Sequence, residues 1–234
     1  MYTPEDIANG CIPNAPTPGC VAIFAGAQPT DPKFADIDGD GVITPTKDFA
    51  VIGNPYPDFN WGMTNTLSYG PVDLRFTLDG AVGGQRLNRN LASVENIDGI
   101  FNVTKAYVNE MWISPDSIGD GLTPSAGLSS GEGRRRFRDV SDRWVEDAGY
   151  VWLRNINLTY QLPQSLLFNS RSGSIYISIQ NPKIWSGFNG NPQTQSGQLL
   201  SAAGSPNTPN LTPGVDNFTY PIARTFTIGI NLGL

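Results

Sequence analysis

The sequence predicts an all-β protein: about five strands of a large antiparallel transmembrane β-barrel, with long loops and one short loop helix. Three observations predict it. Five segments alternate apolar and polar side chains with the period of two that marks a strand. Aromatic residues gather at the two ends of the apolar faces, as in the girdles of membrane barrels. The opposite faces carry Thr, Ser, Asn, Gly, Asp and Arg, which suits a wet lumen better than a sandwich exterior rich in Lys and Glu. Alternation alone also fits a soluble β-sandwich, so that class stays open at this point.

The first 58 residues read as an outer loop. Cys11 and Cys20 bracket "IPNAPTPG", a turn-prone segment that a disulfide would close; two free thiols are the alternative. Residues 36–48, "DIDGDGVITPTKD", begin like an EF-type calcium loop. Such a loop brings carboxylates at positions 1, 3 and 5 onto one ion, turns sharply at a glycine and adds a carbonyl. Asp36, Asp38, Asp40, Gly41 and Val42 hold those places. Lys47 stands where the last acidic ligand belongs, and Asp48 follows one step later. A structural Ca2+ with ligands Asp36, Asp38, Asp40, Val42 and Asp48 is one expectation; an ion-free Asx-turn loop is the other.

Strands are predicted over 59–69 and 72–82, joined by a tight turn at Gly70-Pro71. In the first, Phe59, Trp61, Met63, Asn65, Leu67 and Tyr69 share a face; in the second, Val72, Leu74, Phe76 and Leu78 do. From Trp61 to Tyr69 is a strand length of ~26 Å. Tilted by about 40°, it rises ~20 Å, close to the ~25 Å apolar band of membrane barrels. Next comes a long connection, 83–149. Helical spacing of Val103, Ala106, Tyr107 and Met111 predicts a short helix within 102–112. "RRRFR" (134–138) reads as a solvated basic stretch beside Glu132, Asp139 and Asp142 rather than as an anion site.

The third strand is predicted over 150–162, with Tyr150 and Trp152 as its upper girdle and Tyr160 as its lower. Arg154 shares the parity of Trp152 and Ile156, which would place it against lipid at a cost of roughly 2–4 kcal/mol. A bulge there would instead turn Val151 and Leu153 outward. The fourth strand, 173–181, is expected to end at Pro182, which lacks an N–H donor. The fifth covers 223–234. Short connections at 70–71 and 163–172 alternate with long ones at 83–149 and 182–222. In outer-membrane barrels short turns are periplasmic and long loops extracellular, so 1–58, 83–149 and 182–222 are assigned outside.

Composition excludes much. There is no histidine, which removes histidine-based catalytic schemes, and two cysteines cannot build a zinc site. A net charge of −6 argues against nucleic acid as a partner. Nothing places two carboxylates across a cleft, so no enzyme is expected.

Several stretches resemble, in order, the C-terminal region of SusC/RagA-family TonB-linked outer-membrane transporters. They are "DIDGDGVI", "IGNPYPDFNWGMTNTLSYGPVDLRFTLDGAVGG", "DRWVEDAGYVWLRNINLTYQLP", "SIYISIQNPKIWSGFNGNPQ" and "YPIARTFTIGINLGL". The family commonly ends in Phe, whereas this chain ends in Leu234. The resemblance implies the C-terminal part of a barrel, over 59–234, whose plug and TonB-coupling segment lie upstream of this chain. It also implies import of oligosaccharides or peptides across the bacterial outer membrane with a SusD-like surface lipoprotein, and contact with outer-membrane lipid and the TonB complex. Trp185, Phe188 and Asn189 are candidate ligand contacts in an outer loop. The alternative is a secreted calcium-stabilised β-sandwich that binds glycans on Trp112, Trp144, Trp152 and Trp185.

Overall fold

The computed structural model describes residues 2–12, 21–22, 29, 31–44, 46–95, 102–114, 116–125, 141–167, 171–194 and 213–233. They form two units, Met1–Ile52 with Arg89–Trp144 and Gly53–Asn88 with Val145–Leu234.

The described residues of the first unit hold only short helices and strands. Helix α1 (Pro4–Asn9) starts with a capping box: Thr3 Oγ1 accepts from the Asp6 N–H at 3.1 Å, and the Asp6 carboxylate accepts from the Thr3 N–H at 2.9 Å. The sequence "TPED" carries this signal, yet no helix was expected there. Strands β1 (Cys11–Ile12) and β2 (Val21–Ala22) pair antiparallel. Cys11 is disulfide-bonded, and Cys20 is the chain's other cysteine; Cys20 itself lies outside the described residues. Helix α2 (Arg89–Val94) is a further short element. Helix α3 (Lys105–Glu110) falls where helical spacing predicts it, but is shorter. Thr104 caps it by accepting from the Tyr107 N–H at 3.1 Å. Trp144 is completely buried, and Arg143 beside it reaches Glu95 at 3.4 Å and Thr123 Oγ1 at 3.1 Å. The basic stretch 134–138 lies outside the described residues.

The second unit holds β3 (Phe59–Tyr69), β4 (Val72–Val82), β5 (Gln85–Asn88), β6 (Val145–Asp147), β7 (Tyr150–Gln161), β8 (Ser172–Ser186), β9 (Val215–Asp216) and β10 (Thr225–Gly233). The five long strands form one antiparallel sheet in the order β10-β8-β7-β4-β3, and the short ones a three-stranded sheet, β6-β5-β9. The β3–β4 hairpin has the predicted ends, and Gly70 takes a φ of 58° in its two-residue turn.

Register defines the two faces of the large sheet. Met63, Leu78 and Leu153 lie side by side, as do Leu67, Leu74, Leu158, Ile177 and Ile228 two levels down, with Asn65, Phe76, Ile156, Ile179 and Phe226 on the level between. This face is continuous and open: Phe226, Ile228, Ile230 and Leu232 are all at least 60% exposed. A sandwich would bury such a face against a second sheet. The buried Trp144 and Trp152 also cannot serve as sugar platforms. Two glycines permit aromatic rings to lie flat on neighbouring strands. A Cβ on Gly80 would meet the Trp61 indole at 2.6 Å on the apolar face, and one on Gly229 would collide with the Tyr176 ring on the polar face.

Two sequence expectations are corrected at one place, level with Arg154. Thr77 pairs with Asn155 and Leu78 with Leu153, so Arg154 is an extra residue against β4. Against β8, Leu153 pairs with Lys183 and Asn155 with Gln180, so Arg154 opposes two residues, Asn181 and Pro182. The bulge reverses parity along β7: Val151 and Leu153 join the apolar face, while Tyr150 and Trp152 turn to the polar face. The upper girdle expected from Tyr150 and Trp152 is therefore absent on β7; both rings are buried with Ala81, and Ile184 packs on them. Pro182 does not end β8, which runs on to Ser186. It occupies the bulge, where the ladder needs no donor, and Asn181 takes a φ of 51° beside it.

Candidate functional site

The polar face of the large sheet is the candidate site. Each strand contributes alternate residues to it. Level with the middle of the sheet these are Thr64, Thr77, Asn155, Gln180 and Thr225, and one level nearer the turn Thr66, Arg75, Asn157, Ser178 and Thr227. Short hydroxyls and amides fill the rows because the face meets water rather than a packed layer. Thr64 and Thr77 share a hydrogen bond at 3.1 Å, and Thr159 donates to Asn157 at 2.8 Å.

Above those rows sits a polar knot created by the bulge. The Arg154 guanidinium forks onto Asp79, through Nε to Oδ1 and through Nη2 to Oδ2 at 2.9 Å. Its Cζ lies 3.6 Å from the Trp152 ring centroid, and Tyr150 Oη donates to Asp79 at 3.3 Å. Gln193, beyond the end of β8, closes the knot by accepting from Arg154 Nη2 at 2.7 Å and donating to Tyr150 Oη. The segment after β8 is thereby held over the polar face. Arg86 Nε, donating to the Pro192 carbonyl at 2.8 Å, holds it a second time. A concavity of about 560 Å³ lies beside the knot, lined by Arg75, Arg154, Asn155, Asn157, Ser178, Gln180 and Asn181. None of these residues stands out in the sequence. Only the awkward parity of Arg154 hinted at them.

The three candidate ligand contacts separate. Trp185 lies within β8, not in the loop, and pairs with Val151 on the apolar face, where it is half exposed. That is a girdle position, and it supplies the aromatic that Trp152 does not. Phe188 is buried, with its ring over Gly190. Asn189 is exposed, and its N–H donates to Glu146 at 2.8 Å.

The acidic loop converges as its spacing predicts for three of five positions. Carboxylate oxygens of Asp36, Asp38 and Asp40 lie within 4.8 Å of one another. Gly39 and Gly41, at φ 78° and 85°, let the chain wrap Asp36, whose oxygens accept from their N–H groups at 2.8 and 2.9 Å. Asp48 instead closes the loop's base, accepting from the N–H groups of Ile37 (2.7 Å) and Thr44. Those backbone bonds hold its carboxyl below the usual range. The Lys47 ammonium reaches into the cluster, 2.8 Å from Asp40 and 3.8 Å from Asp38. Its hydrogen bond lowers the Asp40 pKa and raises its own. The carboxylate chemistry fits a hard, oxygen-seeking cation, with Lys47 competing for the same charge.

A sheet apolar and open on one face, polar and charged on the other, defines a class: the wall of a transmembrane β-barrel. Known proteins agree. The chain is 31% identical over 216 residues to TonB-dependent receptor P3 of Formosa agariphila, covering 92% of this chain and 20% of that protein. It is 26% identical over 211 residues to the TonB-dependent receptor SusC of Bacteroides thetaiotaomicron, covering 88% of this chain and 18% of that protein. Among solved structures, the RagAB peptide importer in its "open-open" state matches with a TM-score of 0.61 at 18% identity, covering 96% of this chain and 21% of that one. Its "closed-closed" state matches with a TM-score of 0.60 at 20% identity, covering 87% of this chain and 20% of that one. No protein-family model matches the chain. The chain belongs to the TonB-dependent receptors, with SusC among its relatives, and spans about a fifth of the length of the curated relatives it matches.

Proposed function

We propose that the chain forms part of the barrel wall of a TonB-dependent outer-membrane importer of large nutrients, oligosaccharides or peptides, working with a SusD-like surface lipoprotein. One observation carries this reading: the five-stranded sheet keeps one face mostly apolar, with Asn65 and Lys183 as exceptions, and the other mostly polar, and the bulge at Arg154 carries Val151 and Leu153 onto the apolar side. A wall between lipid and a wet lumen needs that separation. In this reading the Gly70-Pro71 turn and the connection after β7 face the periplasm, and residues 1–58, 83–149 and 182–222 face outward.

The loop at 36–48 serves this function as an outer brace. We assign it a structural Ca2+ held by Asp36, Asp38 and Asp40 with the Val42 carbonyl, while Asp48 fixes the loop's base. The test of function uses the whole receptor gene. Its deletion is expected to abolish uptake of either labelled oligosaccharides or labelled peptides by intact cells, and loss of TonB should have the same effect. An affinity-tagged receptor should bring a surface lipoprotein with it from outer membranes. Unchanged uptake of both solute classes in the deletion strain would refute the proposal.

A further inference from the structure

Four charged side chains stand on the polar face of the five strands: Asp73, Arg75, Asp79 and Arg154. Three are engaged. Arg154 and Asp79 form the forked pair, and Asp73 accepts from the Ser68 hydroxyl. Arg75 differs: it is exposed and makes no ion pair or hydrogen bond among the described residues. It points onto the concavity it shares with Arg154, Asn155, Asn157, Ser178, Gln180 and Asn181. Among the described residues no carboxylate lines that space, so the wall offers a guanidinium, amide N–H donors and a hydroxyl, with the Asp79 charge already matched by Arg154.

We propose that Arg75 is the anchor of a carboxylate-binding site in this concavity. A free guanidinium presents a planar fork of N–H donors that matches a carboxylate in a bidentate way, and the neighbouring amides satisfy the polar groups around it. The inference rests on the polar face being the inner wall, not on which nutrient is imported. The carboxylate has two sources, a dissolved solute or an acidic side chain from the rest of the receptor.

The experiment uses the full-length receptor in detergent micelles, as wild type, Arg75→Gln and Arg75→Lys. It is titrated calorimetrically with N-acetyl-triglycine and with the amide of the same peptide, which differ only in the carboxylate. The three proteins are also melted without ligand. If the solute supplies the group, the acid binds roughly tenfold tighter than the amide, Arg75→Gln removes that preference and Arg75→Lys keeps most of it. If the receptor supplies it, the two peptides do not differ, Arg75→Gln melts several degrees lower, and Arg75→Lys melts near wild type. The proposal is overturned if the acid has no advantage and Arg75→Gln melts with wild type, or if Arg75→Lys melts as low as Arg75→Gln, which would mark a packing effect. Uptake measurements are separate, so failure here leaves the transport reading standing.

Discussion

Arg154 Nη2 donates to Asp79 Oδ2 at 2.9 Å, joining β7 to β4 at the level where the register slips. Both side chains are about a quarter exposed, so the pair is neither a surface ornament nor a dry ion pair. Removing one partner strands the other among Trp152, Tyr150 and Gln193. We expect Asp79→Ala to cost about 1–3 kcal/mol of receptor stability, and Asp79→Ala with Arg154→Leu to cost less than the sum of the two singles. Denaturant melts of the four proteins in one detergent measure the coupling.

Tyr176 lies over Gly229, and the space between them is already closed. A Cβ at that glycine would collide with the Tyr176 ring. Gly229→Ala is expected to destabilise by roughly 1–3 kcal/mol through overpacking. Adding Tyr176→Ser should recover most of that loss. Heat-modifiable migration on gels, which reports folded barrel, checks both variants.

For the acidic loop, the competition between Lys47 and a cation gives a signed expectation. Lys47→Glu removes the ammonium from beside Asp40 and adds an acidic ligand at the place where EF-type loops carry one. Calcium affinity by titration calorimetry should rise at least tenfold, and Asp36→Asn should lower it. Insensitivity of the receptor's melting to chelator would remove the ion from this account.

Burial holds the Glu95 carboxyl above its usual range, with Arg143 pulling it partly back. A raised folded pKa makes the charged form costly in the fold. The favourable contribution is present below the ordinary value of 4.5 and is lost as pH rises through the folded pKa. Glu95→Gln should therefore increase hydrogen-exchange protection of 89–95 and 141–144 at neutral pH and flatten its pH dependence across the weakly acidic range.

The strands were legible because alternation is a local signal. "FNWGMTNTLSY" and "VDLRFTLDGAV" give their own ends and faces, and a glycine turn joins them. The bulge was only half legible. Arg154 broke the parity of β7, but Trp152 agreed with Ile156, so an unbroken strand also looked consistent. Resolving it takes the neighbours: Leu78 must find Leu153, and Pro182 must find a place without a ladder bond. Helix α1 was written plainly in Thr3, Pro4 and Asp6, but too few apolar residues follow to raise a periodic signal. The site was least legible. Gln193 reaches Arg154 across 39 residues, and no spacing rule predicts such a contact.

The reversal of faces within β7 tests the account most directly. Single cysteines at 151 to 160 of the full-length receptor, in lipid vesicles, are labelled with a polarity-sensitive probe. The account predicts lipid-like emission at 151, 153, 156, 158 and 160 and water-like emission at 155, 157 and 159, with the phase changing at 154. An unbroken alternation that puts 152, 154 and 156 together in lipid would contradict it.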